Sequence, residues 1–152
     1  MAGFKRGHLG PVEQHQILAN IGKEIVSGAP DNWERLEYSA KSIISGTADL
    51  LVATYDDGQT ESIDMPDSIL GMLRELRAGM YQEAKGTWYS MKYTIVRPGN
   101  FNTEFNYDSD PGFTFEPTPE EFVRDLQYFP RDDEYIPAWL REKIRAAEEG
   151  GE

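Results

Sequence analysis

Two runs of alternating residues, 88–97 and 101–108, stand on either side of Pro98-Gly99-Asn100. In the first, Tyr89, Met91, Tyr93 and Ile95 share one side. In the second, Phe101, Thr103, Phe105 and Tyr107 alternate with Asn102, Glu104, Asn106 and Asp108. A period of two sends successive side chains to opposite faces of a strand. A turn this short joins only strands that run in opposite directions, because parallel neighbours need a crossover of a dozen residues or more. The chain is therefore committed to an antiparallel sheet.

Other strands extend it. Residues 33–44 place Leu36, Tyr38 and Ala40 on one face and Glu37, Ser39 and Lys41 on the other. Ser45-Gly46 predicts a tight hairpin into a strand over 47–55. Asp56-Asp57-Gly58 turns again, into a short strand over 60–63. Helices flank these runs. Ile17, Leu18, Ile21 and Ile25 form one stripe within 12–27, which Gly28 ends. Pro66 and Asp67 open a second helix, striped by Ile69, Leu73, Leu76 and Met80 and ended by Lys85-Gly86. Thr118-Pro119-Glu120-Glu121 reads as a capping box for a third, carrying Phe122, Val123 and Leu126 to about Tyr128. Pro137 opens the last, with Trp139, Leu140 and Ile144.

The expected architecture is a single α+β domain, with a sheet of five antiparallel strands and four helices in the order α-β-β-β-α-β-β-α-α. Residues 12–147 form the domain, residues 1–11 are expected to be a flexible segment, and residues 148–152 to fray. The 152 residues suit one domain, and a hydrophobic share of 39% supports a packed core. Phe101, Phe105, Tyr107 and Trp88 are expected to join Leu73, Leu76 and Met80 in that core.

Composition then removes function classes. Fifteen basic against twenty-seven acidic residues leave a net charge of −12, which repels nucleic acid and anionic membranes alike. With no Cys there is no disulfide, thiolate zinc site or cysteine nucleophile. No apolar run approaches the span of about 20 residues that crosses a bilayer. Residues 1–11 lack the apolar stretch of a secretory signal, so a cytoplasmic location is expected.

Catalytic and metal signatures are weak. His8 and His15 are the only histidines, which excludes a multi-histidine metal site. His15 lies on the first helix with no Ser-bearing elbow to serve, and reads as a solvent-facing side chain. No Gly-rich phosphate cradle is present. Asn106, Asp108 and Asp110 have the spacing of a calcium loop, but Pro111 and Pro117 occupy its required Gly and Glu positions. No metal, cofactor or catalytic residue is assigned. Strand 101–107 has the aromatics of an RNA-recognition strand without its basic residues, so they belong to the core.

Charge is concentrated instead. Residues 1–97 carry ten basic and thirteen acidic residues, a net of −3; residues 98–152 carry five and fourteen, a net of −9. Glu104, Asp108, Asp110, Glu116, Glu120, Glu121, Asp125, Asp132, Asp133 and Glu134 fall within 31 positions, opposed by Arg124 and Arg131. Phe113, Phe115, Tyr128 and Phe129 are interleaved. An acidic, aromatic surface suits docking of a basic protein: charge steers the encounter and aromatics anchor it. The opposing interpretation is a solubilising surface whose aromatics lie in the core.

Gly86-Thr-Trp-Tyr-Ser-Met-Lys-Tyr-Thr94, Gly99-Asn-Phe-Asn-Thr-Glu-Phe-Asn-Tyr-Asp108 and Tyr128-Phe-Pro-Arg-Asp-Asp-Glu-Tyr-Ile-Pro-Ala-Trp-Leu140 resemble the YezG-like family of bacterial immunity proteins. The resemblance implies an antitoxin that neutralises a cognate secreted toxin domain by stoichiometric binding and has no enzymatic activity. The partner is expected to be a basic nuclease, or an NAD-degrading or other toxin, and neither nucleic acid nor membrane. Asp108, Asp110, Phe113, Glu116, Glu120, Glu121, Asp125, Asp132, Asp133 and Glu134 are the expected toxin-binding residues. The alternative is a small carboxylate-based, metal-dependent enzyme or ligand-binding domain, which would act with no protein partner.

Overall fold

A computed structural model describes residues 5–114 and 116–150 of the chain. Phe115, residues 1–4 of the expected flexible segment and residues 151–152 of the expected frayed tail lie outside the described residues. The elements follow the expected order. They are α1 (Pro11–Ser27), β1 (Trp33–Ile43), β2 (Gly46–Tyr55), β3 (Thr60–Ile63), α2 (Ser68–Gly79), β4 (Ser90–Val96), β5 (Asn100–Asn106), α3 (Pro119–Tyr128) and α4 (Ala138–Gly150). A single 3-10 turn, Asp133–Tyr135, precedes α4.

The five strands form one antiparallel sheet in the order β3-β2-β1-β4-β5. Alternation decides its faces. Leu36, Tyr38 and Ala40 stand opposite Leu51 and Ala53 on one side and Met91, Tyr93 and Ile95 on the other, or are adjacent to them in register. All are buried beneath Leu18, Ile21 and Ile25 of α1 and Ile69, Leu73 and Leu76 of α2. Phe101, Phe105 and Tyr107 reach this core from β5 and the residue after it but stay half-buried, since β5 is an edge strand.

The opposite face carries Arg35, Glu37, Ser39 and Lys41 of β1, Val52 and Leu50 of β2, and Lys92 and Thr94 of β4. Its far end is closed by α3 and α4. There Ile43, Tyr89, Phe122 and Leu140 make a second, smaller core, with Phe113, Leu126, Ile136 and Trp139 around it. Trp88 and Tyr89 are both fully buried although neighbours, because the chain has not yet entered β4: Trp88 joins the large core and Tyr89 the small one.

Several expected boundaries shift. Strands β4 and β5 span only Ser90–Val96 and Asn100–Asn106, and α4 runs to Gly150, into the described part of the tail expected to fray. Helix α2 ends at Gly79, well before Lys85-Gly86. Tyr81 turns inward instead and donates its hydroxyl to the Pro130 carbonyl at 2.9 Å, while Gln82 and Gly86 bridge across a loop. The described part of the segment expected to be flexible is docked: the amides of Gly7 and Leu9 donate to the carbonyls of Ala78 and Gly79 at 2.8 and 3.2 Å. The Ala78 carbonyl also accepts the Tyr81 amide at 3.2 Å, so the docked segment adds to the turn that ends α2.

Buried tyrosines give the fold a defined alkaline limit. Desolvation raises the pKa of Tyr38, Tyr89 and Tyr93 well above the ordinary phenol value, and that of Tyr107 in the same direction. Their burial therefore stabilises fully below the unfolded phenol pKa of about 10, and the contribution falls as pH rises beyond it. Urea unfolding from pH 7 to about 11.5 should show stability flat with respect to these groups to about pH 9.5 and then declining, as tyrosinate absorbance grows with unfolding. Unchanged stability at the alkaline end of that range would contradict this placement of the tyrosines.

Candidate functional site

Glu104 stays on β5, while the acidic segment from Asp108 onward folds with α3 and α4, and two buried arginines fix it to the sheet. Arg77, near the end of α2, donates Nη1 and Nη2 to the two carboxylate oxygens of Asp125 at 2.7 and 2.9 Å. Its Nε donates to the Trp88 carbonyl at 2.7 Å. Asp125 Oδ1 also accepts the Ile44 amide at 2.6 Å, so one carboxylate joins α3 to α2 and to the end of β1. Arg131 follows α3. It donates Nη2 to the carbonyls of Thr87 and Tyr107 at 3.2 and 2.5 Å, and Nη1 to the Tyr135 carbonyl at 2.9 Å and to Asp108 at 3.2 Å. The guanidinium carbons of Arg77 and Arg131 lie 5.4 and 5.2 Å from the centre of the Tyr89 ring. Both cations are thus within reach of the ring's electron-rich face, which favours them there.

These contacts correct one expected binding residue. Asp125 is 1% exposed and its carboxylate is saturated by Arg77 and Ile44. It is structural and cannot meet a partner. The signal was present in the sequence: Phe122, Asp125 and Phe129 follow the three-four spacing of a buried helical stripe, and all three are buried.

The remaining nine residues separate into two groups. Asp108, Asp110, Asp132, Asp133 and Glu134 lie around Arg131 and the start of α4. Asp108 pairs with Arg131 but leaves 79% of its side chain exposed. Asp110 accepts the Gly112 amide at 3.0 Å. Asp133 pairs with Arg141 at 3.0 Å and is 88% exposed. Asp132 and Glu134 are exposed and make no ion pair among the described residues.

The second group lies toward the β1–β2 hairpin. Glu116 pairs with Lys143 at 2.5 Å. Glu121 completes the expected capping box, accepting the Thr118 amide at 2.7 Å, and also accepts the Ser45 hydroxyl at 3.1 Å. Those bonds, the Thr118 amide first, lower its pKa below the usual carboxylate value. Glu120 is exposed, close to Gly150 at the end of α4. Phe113 is half-buried, packed edge-on against Phe122 at 6.2 Å, and so serves the small core more than the surface.

Among the described residues, no group of three or more His, Asp or Glu is placed to hold a metal ion. His15 is exposed, as expected, and stacks on Phe101 at 5.5 Å rather than facing a carboxylate. Among the described residues, no helix is long and apolar enough to cross a membrane. No protein family and no curated protein matches the chain.

Proposed function

We propose that this chain is an immunity protein of the producing cell's cytoplasm, which binds a cognate secreted toxin domain and neutralises it one for one. The observation that carries the proposal is the exposed acidic group at the start of α4. Asp132 and Glu134 lack cationic partners among the described residues, and Asp108 and Asp133 stay exposed despite theirs. Asp108, Asp132, Asp133 and Glu134 are thus presented to solvent on a framework that two buried arginines tie to the sheet. Such a surface is complementary to the cationic substrate groove of a nuclease, where carboxylates can take the positions of backbone phosphates. A rigid inhibitor needs no active site, because affinity comes from preorganised complementarity.

A triple variant, Asp132→Lys, Asp133→Lys and Glu134→Lys, tests the docking surface. Exposed charges are worth less than about 0.5 kcal/mol each to the fold, so its unfolding should be nearly unaltered. Titration against the toxin domain should show weaker binding, and raised salt should weaken the wild-type complex more than the variant. Reversal of Glu13, Glu24 and Glu34, outside the segment, should do less. Equal affinity of both triple variants, with no salt effect, would mean that this surface is only solubilising.

A further inference from the structure

Strand β2 is ten residues long but β3 covers little of its outer edge. Their register pairs Leu51 with Ile63, Val52 with Ser62, Ala53 with Glu61 and Thr54 with Thr60. Residues 46–50 therefore have β1 on one side and no strand on the other among the described residues. A bare edge offers a row of backbone donors and acceptors that another extended segment can fill. After Ile63 the chain leaves the sheet through Asp64, Met65, Pro66 and Asp67 into α2, and these residues border, with Thr47 and Asp49, a hollow beside the bare edge.

The two sides of that edge differ. On the helix-covered face is a hollow of about 520 Å³, with apolar walls that include Leu51, Ile63 and Leu70 and with Asp49, Asp64 and Asp67 as its charged groups. Asp49 accepts the Tyr38 hydroxyl at 2.8 Å, so its place is fixed. Asp64 and Asp67 make no ion pair among the described residues. On the opposite face is a second hollow of about 380 Å³, walled by Ile43, Ala48, Phe113 and Pro117. Its acids, Glu116 and Glu121, are already engaged by Lys143 and by Thr118 and Ser45.

We propose that residues 46–50 of β2 are a strand-addition site for an extended partner segment that alternates cationic and aliphatic side chains. An added strand sends alternate side chains to opposite faces. One set meets Asp49, Asp64 and Asp67, where only a cation balances the charge, and the other meets the apolar walls around Phe113. Backbone pairing supplies affinity and the two hollows supply selection, the usual division in strand addition. Exposed Leu50 lies on the same edge and gains cover from the arriving strand. The site deepens the docking of a basic toxin and rests on that reading only for the identity of the partner.

The probe is a heptapeptide of alternating valine and lysine. Two comparison peptides replace its lysines by glutamate, or its two central valines by proline. Proline keeps the charge but holds φ near −65°, away from the extended strand conformation, and removes two backbone donors. Amide exchange and chemical shifts should change within residues 46–50 on binding of the valine-lysine peptide. The proline peptide should bind at least ten-fold more weakly and the glutamate peptide not at all. Asp64→Lys, at an exposed position, should weaken the valine-lysine peptide ten-fold or more while leaving unfolding unchanged. Equal binding of the proline peptide, or changes confined to β5 or to α3 and α4, would overturn the site. If the peptide seats on β2 while the toxin is not bound, the immunity reading fails and the site stands. If the toxin is bound with full affinity by the Asp64→Lys variant, this site fails and the immunity reading stands.

Discussion

Replacing Asp125 by alanine is expected to destabilise the fold by about 3–5 kcal/mol, a large part of the roughly 5–15 kcal/mol that holds a typical domain together. The cause is the cation left behind. Arg77 is 3% exposed, and without Asp125 it keeps the Trp88 carbonyl but loses both bonds to the carboxylate. The Ile44 amide loses its acceptor as well. An unpaired buried charge costs more than the pair contributed, so removal of both partners should be less damaging than the sum of single changes. Urea unfolding of Asp125→Ala, Arg77→Met and the double variant measures this coupling. If Asp125→Ala stays within about 1 kcal/mol of wild type, the side chain lies on the surface and the charged stripe of α3 faces outward. The same experiment separates fold from function: Asp125→Ala should lose toxin binding only in proportion to unfolded protein.

Gly86→Ala is expected to cost about 2–5 kcal/mol, from backbone strain of about 1–2 and overpacking of about 1–3. Gly86 sits at φ +89°, and a Cβ there would fall on the Arg131 side chain, at Nε and Cγ. That side chain holds four groups, the carbonyls of Thr87, Tyr107 and Tyr135 and the Asp108 carboxylate, so it cannot move aside without loosening the loop after β5 and the start of α4. Gly58 is the control: its φ is +84°, and beyond its chain neighbours no atom lies within 4 Å of where a Cβ would stand. Gly58→Ala should carry the backbone strain alone, about 1–2 kcal/mol. Equal losses for the two variants would show that Arg131 yields freely and that the acidic group near it is not held rigid.

The elements were legible because local signals agreed with the fold. The two hairpins fall at their turn signals but one residue early, with Ile44-Ser45 and Arg97-Pro98-Gly99 as the turns and Gly46 and Asn100 opening the strands, and the Thr118 capping box forms with Glu121. Apart from the three-four stripe of Phe122, Asp125 and Phe129, no local signal carries which charges the fold takes inside. Asp125 and Arg131 stand in the acidic segment like any other charged residues, yet their partners are Arg77, 48 positions away, and the carbonyls of Thr87 and Tyr107, 44 and 24 away. Pairing over such distances is decided by tertiary packing. The bare edge of β2 was equally hidden, since it depends on how soon β3 stops and where the chain goes next.

The central claim is one-for-one inhibition of a toxin, and its most direct measurement is a titration of toxin activity. The account requires a secreted multidomain toxin encoded beside this gene, and its toxin domain is the one to assay. With the toxin domain fixed at a concentration far above the dissociation constant, activity should fall linearly as this protein is added and reach its floor at one equivalent. The complex should survive gel filtration and weaken as salt rises, because exposed carboxylates contribute to its formation. Loss of toxin activity at a small fraction of an equivalent would indicate turnover and contradict a stoichiometric inhibitor. Full toxin activity in the presence of several equivalents, with no complex detected at low salt, would contradict the immunity function itself.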